Sequence, residues 1–153
     1  MKWLAVIAAT ASVAHADPGY FAAAGGGANV GTPFAQVKLG RRFARAPFLE
    51  LGFAYSYDRA ISELPFQTLG VAVRTYVARF GRVELVHEAS AALALSSSGK
   101  FGDRAIGDRL LGPMFALGIG AEVAIDCHWS VGLVVSTGTP VWLRSAVAVR
   151  FAF

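Results

Sequence analysis

The chain has 153 residues, 55% of them hydrophobic and 16% charged, with a mean hydropathy of +0.51, a balance that suits a membrane protein. Its single cysteine, Cys127, excludes an intrachain disulfide framework. A formal charge of +4 and a pI near 9.6 invite a nucleic-acid reading, but the start of the chain argues against that partner.

Residues 1–16 read as a secretory signal: Lys2 supplies the charged region, Trp3 to Val13 are almost wholly apolar, and Ala14-His15-Ala16 forms a small-residue cleavage site. The apolar core is about a dozen residues, short of the ~20 that a spanning helix needs. Asp17, not a cysteine, follows the cut, so no lipoprotein anchor is expected. An exported domain over residues 17–153 rarely meets nucleic acid, and its basic residues are better suited to membrane phosphates.

No helix-length apolar run follows. The longest candidate, GPMFALGIGAEVAI from Gly112, is broken by glycine, proline and Glu122. From residue 19 onward the pattern alternates at period two, with Gly, Pro, Ser and Asp at the breaks, which predicts strands and turns. Eight segments follow in chain order: 19–29, 34–43, 48–58, 66–80, 83–96, 110–125, 129–137 and 141–153. Most approach the ~9–11 residues of a tilted membrane strand. Tight turns at 44–47, 81–82 and 126–128 share one side with both termini, and the other side takes 30–33, 59–65, 97–109 and 138–140. The stretch 97–109 is long, glycine-rich and charged, the one surface large enough for a recognition loop.

Sorting the segments by parity separates two faces. One carries bulky apolar residues, such as Val37 and Leu39, Leu51 and Phe53, Val71 and Val73, Leu117 and Ile119, and Leu133 and Val135. The other carries five cations (Lys38, Arg42, Arg74, Arg144, Arg150) and five anions (Glu50, Asp58, Glu84, Glu88, Glu122) among small residues such as Gly52, Ala54, Gly70, Ala72, Gly118 and Gly120. A soluble lipocalin-like barrel would put the apolar set inside; a membrane barrel inverts the arrangement. Small residues suit the crowded lumen of an eight-strand barrel. Aromatics near strand ends (Phe43, Tyr55, Tyr57, Trp129, Phe151, Phe153) suit interfacial girdles. The expected fold is therefore all-β: an eight-stranded, antiparallel, up-and-down transmembrane barrel preceded by a cleavable signal. The ten charged residues form a lumen network, with Arg74 paired to Glu88 and Lys38 to Glu50 at similar heights.

The end of the chain is SAVAVRFAF, in which Val147, Val149, Phe151 and Phe153 alternate with small or charged residues. It resembles the C-terminal signature of bacterial outer-membrane β-barrel proteins, although Ser145 departs from the pattern. Residues 17–153 as a whole are similar to the small OmpA/OmpX-like barrels. The resemblance implies an outer-membrane location, recognition of Val147, Val149, Phe151 and Phe153 by the barrel-assembly machinery, and membrane lipid and lipopolysaccharide as partners.

His87 is the one candidate for catalysis, since parity puts it on the lipid face. Lipid A deacylases of the PagL type resemble this chain in size and use a lipid-facing histidine with a serine two residues on. Here that position is Ala89, while Glu88 and Ser90 point the other way, so a nucleophile lacks its base. Cys127-His128 falls in a turn, and two adjacent donors make a poor metal site. GIGAEV from Gly118 has no helix after it and reads as sheet packing, not a nucleotide loop. Arg41, Arg42, Arg45, Arg79 and Arg82 cluster near the short turns, and Arg59, Lys100, Arg104 and Arg109 near the longer loops, where phosphate contact is plausible. No catalytic, cofactor or metal residue is expected. The expected role is membrane-structural or surface-interacting, with the loop partner unspecified; a narrow conduit or binding barrel for a small molecule is the second reading, and a lipid A-modifying hydrolase the third.

Overall fold

The computed structural model describes residues 19–29, 32–59, 65–96, 99–101, 104–106, 109–139 and 142–153. The signal reading of residues 1–16 lies outside them, as do parts of the longer loops. Eight strands close a barrel: β1 (Tyr20–Asn29), β2 (Thr32–Phe43), β3 (Ala46–Arg59), β4 (Pro65–Phe80), β5 (Val83–Ser96), β8 (Arg109–Ala124), β9 (Trp129–Thr139) and β10 (Trp142–Ala152). Each pairs antiparallel with its neighbour, and β1 meets β10 to close the ring. The predicted loop over 97–109 contains a short hairpin of its own, β6 (Gly99–Phe101) and β7 (Arg104–Ile106).

The faces are sorted as the alternation predicts. Phe53 and Leu117 on the outside are 70% and 69% exposed, whereas Asp58 on the inside is fully buried. An exterior of this kind is stable only where hydrocarbon replaces water. Tyr20, Phe43, Phe48, Phe80, Trp129 and Phe153 are exposed around the turn end, and Tyr55 and Tyr57 around the other.

Register sets how interior residues meet. Following partners across the sheet from Arg42 through Glu50, Arg74, Glu88, Gly118, Ser136, Arg144 and Asn29 returns to β2 at Thr32, ten residues from the start. That stagger, at ~3.3 Å per residue against eight strands ~4.7 Å apart, tilts the strands by about 40°. Residues at equal counts from the turn end are therefore not at equal heights.

Local irregularities adjust the walls. A bulge between Tyr76 and Ala78 switches parity, so both Tyr76 and Arg79 face inward. A second bulge, opposite Ala94 and Leu95, contains Gly112 at φ +115°, a conformation open to glycine. Gly81, φ +62°, makes the two-residue turn between β4 and β5. Phe21 turns its ring into the lumen against Gly40 and Gly52, and a Cβ on Gly40 would stand 2.6 Å from its Cε1. The glycines form the socket that this ring fills.

Candidate functional site

The charged interior near the turn end is one connected chain of ion pairs. It runs Lys38, Glu88, Arg74, Glu122, Arg150, Glu50, Arg42, Glu84 and Arg79, five cations alternating with four anions. Lys38 Nζ donates to Glu88 across the lumen. Arg74 Nη2 donates to Glu88 at 2.8 Å and its Nη1 to Glu122 at 2.6 Å. Arg150 continues the chain, Nη1 to Glu122 at 3.2 Å and Nη2 to Glu50 at 2.5 Å. Beyond it the contacts loosen: Arg42 lies 3.8 Å from Glu50 and 3.7 Å from Glu84. Arg42 is only 3% exposed and lies against the Tyr76 ring, with its Cζ 3.8 Å from the ring centroid. The Tyr76 hydroxyl donates to Glu50 at 3.0 Å and accepts from Arg150 at 2.8 Å, and Ser130 donates to Glu122 at 2.5 Å.

A second, smaller cluster lies toward the loop end. Arg144 Nη2 donates to Asp58 at 3.0 Å and its guanidinium sits 3.6 Å over the Phe34 ring. Ser56 donates to the same carboxylate, as does Asn29. Between the two clusters lies a cavity of about 80 Å³, bordered by Gln36, Ser56, Thr68, Ser90 and Ser136 among alanines and glycines. At ~30 Å³ per molecule it has room for a few waters. Chemically, the interior is a polar plug in which Glu50, Asp58, Glu88 and Glu122 each accept from more than one donor, the condition under which buried charges are tolerated, while Arg42 Nε and Nη2 are buried without a hydrogen bond.

All ten predicted lumen residues face inward, and Arg74 pairs with Glu88 as expected. The expected Lys38–Glu50 pair does not form. Lys38 lies opposite Ala54, while Glu50 lies opposite Arg42 and bonds Arg150. The register of the β2–β3 pair, with its shift between Arg42 and Phe43, sets these partners and holds Glu50 four residues from the position opposite Lys38. Arg79 and Tyr76 join the network unforeseen, and Arg79 owes its place to the bulge at Val77.

No protein-family model and no curated protein matches the chain. Solved structures do. The N-terminal β-barrel domain of Pseudomonas aeruginosa OprF superposes with a TM-score of 0.70 at 12% identity, covering 89% of this chain and 98% of that one. Neisserial surface protein A gives a TM-score of 0.61 at 13% identity, over 88% and 94% of the two chains. The outer membrane enzyme PagL gives 0.54 at 15% identity, over 87% and 99%. The chain has the fold of the small eight-stranded outer-membrane barrels.

On the exterior of this outer-membrane barrel fold, His87 is exposed in an apolar groove of about 540 Å³, bordered by Val73, Thr75, Ala89, Leu117, Ile119 and Leu143. Its cross-strand partners are Thr75 and Ile119. Glu88 borders the groove too, but its carboxylate is committed to Lys38 and Arg74 inside. At the turn end, the terminal aromatics pack in series: Tyr20 stacks on Phe153 at 6.3 Å, Phe153 stacks on Phe151 at 6.0 Å, and Phe151 meets Trp129 at 4.8 Å with the rings tilted by 47°. Phe153 also exchanges two backbone hydrogen bonds with Tyr20, each 2.9 Å. Val147 and Val149 are exposed on the same outer face of β10. The side chains of Arg59, Lys100, Arg104 and Arg109 lie outside the described residues.

Proposed function

We propose that this chain is a non-enzymatic, non-conducting barrel of a bacterial outer membrane, exported by its N-terminal signal, with its turn end in the periplasm. Its role is structural or surface-interacting, through the loops opposite the turns. The observation that carries the reading is the unbroken alternation of charge from Lys38 to Arg79, which fills the lumen on the turn side of a cavity holding a few waters. A solute crossing the barrel would have to part buried pairs such as Arg150–Glu50 and Arg74–Glu122, at several kcal/mol for each charge left alone. The catalytic alternative is weakened by the surroundings of His87. The residue two positions on is Ala89, and no described acidic side chain is directed to the groove.

Planar-bilayer recording of the purified, refolded protein tests the reading. A sealed lumen gives no steady conductance above the bare bilayer. A stable open level of defined size would place the protein with the conduits instead.

A further inference from the structure

Three donors of different chemistry meet at the turn end, between β8 and β9. Asp126, Cys127 and His128 are all exposed, and a carboxylate oxygen, a thiol sulfur and an imidazole nitrogen lie within 4.8 Å of one another. Cys127 Sγ and His128 Nδ1 share a hydrogen bond of 2.9 Å. Contacts outside the trio hold two of the donors in place. Asp126 Oδ1 accepts the backbone N–H groups of His128 and Trp129, each at 2.7 Å, so Oδ2 is the oxygen that neither bond uses. The His128 ring stacks on Phe151 at 5.8 Å, and its carbonyl accepts from Ala152 N at 2.8 Å. Two further hydrogen bonds, from the N–H groups of Ile125 and Asp126 to Trp129 O, close the turn. In the sequence Cys127-His128 offers two donors, too few for a site; the folded turn adds a third and orients them.

We propose that Asp126, Cys127 and His128 form a tridentate site for one divalent cation of the Zn²⁺ class, with water as the fourth ligand. Sulfur, nitrogen and oxygen donors together select a borderline-soft ion, whereas Mg²⁺ and Ca²⁺ prefer oxygen alone. Cys127 binds as thiolate and its proton leaves to solvent, so the hydrogen bond to His128 is replaced by two bonds to the metal. With Zn–S near ~2.3 Å and Zn–N near ~2.0 Å in a tetrahedron, sulfur and nitrogen stand about 3.5 Å apart. The observed 2.9 Å must open by about 0.6 Å, a rotation that exposed side chains make without moving the turn. Because His128 rests on Phe151, the bound ion ties the turn to the last strand.

The test uses untagged mature protein, refolded in detergent, treated with a chelator and kept reduced, then titrated with ZnCl₂ against a chromophoric zinc indicator. One equivalent binds. Cys127→Ser and His128→Phe each weaken it by more than about tenfold, the scale even of losing a supporting contact at a metal site. His128→Phe keeps a ring over Phe151, and heat-dependent gel mobility confirms that each variant retains its barrel. Substituting Co²⁺ produces a thiolate-to-cobalt charge-transfer band that Cys127→Ser lacks. Binding well below one equivalent in the unmodified protein, or Zn²⁺ uptake unchanged in Cys127→Ser, overturns the proposal.

Discussion

Removing the Glu88 carboxylate probes the wiring of the lumen, because its two cationic partners are not equivalent. Lys38 has Glu88 as its one ion-pair partner among the described residues, whereas Arg74 also holds Glu122 at 2.6 Å. In Glu88→Ala, Arg74 falls back on Glu122 and Lys38 is left as a buried ammonium without a counter-charge. Breaking a fully buried pair costs ~3–5 kcal/mol. The side chains of Lys38 and Glu88 are 12% and 13% exposed and border the interior cavity, so the lower end of that range applies, about 3 kcal/mol. Adding Lys38→Met removes the stranded charge and should recover more than half of the loss. Adding Arg74→Ala should recover little, since Lys38 remains alone and Glu122 loses a partner. Reversible urea unfolding in lipid vesicles, followed by tryptophan fluorescence, measures the unmodified protein, the single variants Glu88→Ala, Lys38→Met and Arg74→Ala, and the two doubles. Equal recovery by the two second-site changes, or strict additivity in both, would refute the network as described.

The terminal aromatic has a packing role and an assembly role that separate experimentally. The Phe153 ring stacks on exposed neighbours while its backbone pairs with Tyr20, so Phe153→Ala, which keeps the backbone bonds, should cost about 1 kcal/mol in detergent refolding yet sharply reduce folded barrel in cells. Matching losses in both settings would leave Phe153 as a packing residue alone. The tight packing at Gly40 makes another claim: Gly40→Ala puts a Cβ against Leu51 O and 2.6 Å from both Gly52 Cα and Phe21 Cε1, and should destabilise by ~1–3 kcal/mol. Unfolding curves that superpose on the unmodified protein would show that the backbone of β3 and the ring both have room to move.

Period two made the strands and both faces legible because one-sided burial forces alternation. Leu39, Phe53 and Ile119 outside, and Glu50, Asp58 and Glu122 inside, lie where parity puts them. The similar heights of Arg74 and Glu88 were legible from the β4–β5 turn, but their direct pairing was not: the bulge at Val77 shifts by one residue the register that the turn sets, and without it Arg74 would face Ala89. Contacts across the lumen were not legible either. Lys38 reaches Glu88 three strands away, and that meeting depends on the ten-residue stagger, a property of the closed ring and of no single segment. The inward Arg79 was hidden by a bulge, which no alternation announces, and Phe21 by the glycines on two other strands that receive it. Asp126 stands beside Cys127 and His128 in the sequence, but the turn that gathers its carboxylate with their donors shows only in the fold.

The central claim, an exported barrel whose apolar exterior faces lipid, is tested most directly by intact-mass measurement of the protein recovered from fractionated cells. The account predicts a species spanning residues 17–153, recovered with outer membranes and resistant to salt and alkaline extraction. Recovery in the soluble periplasm, or a membrane-bound species that retains Met1, would contradict it.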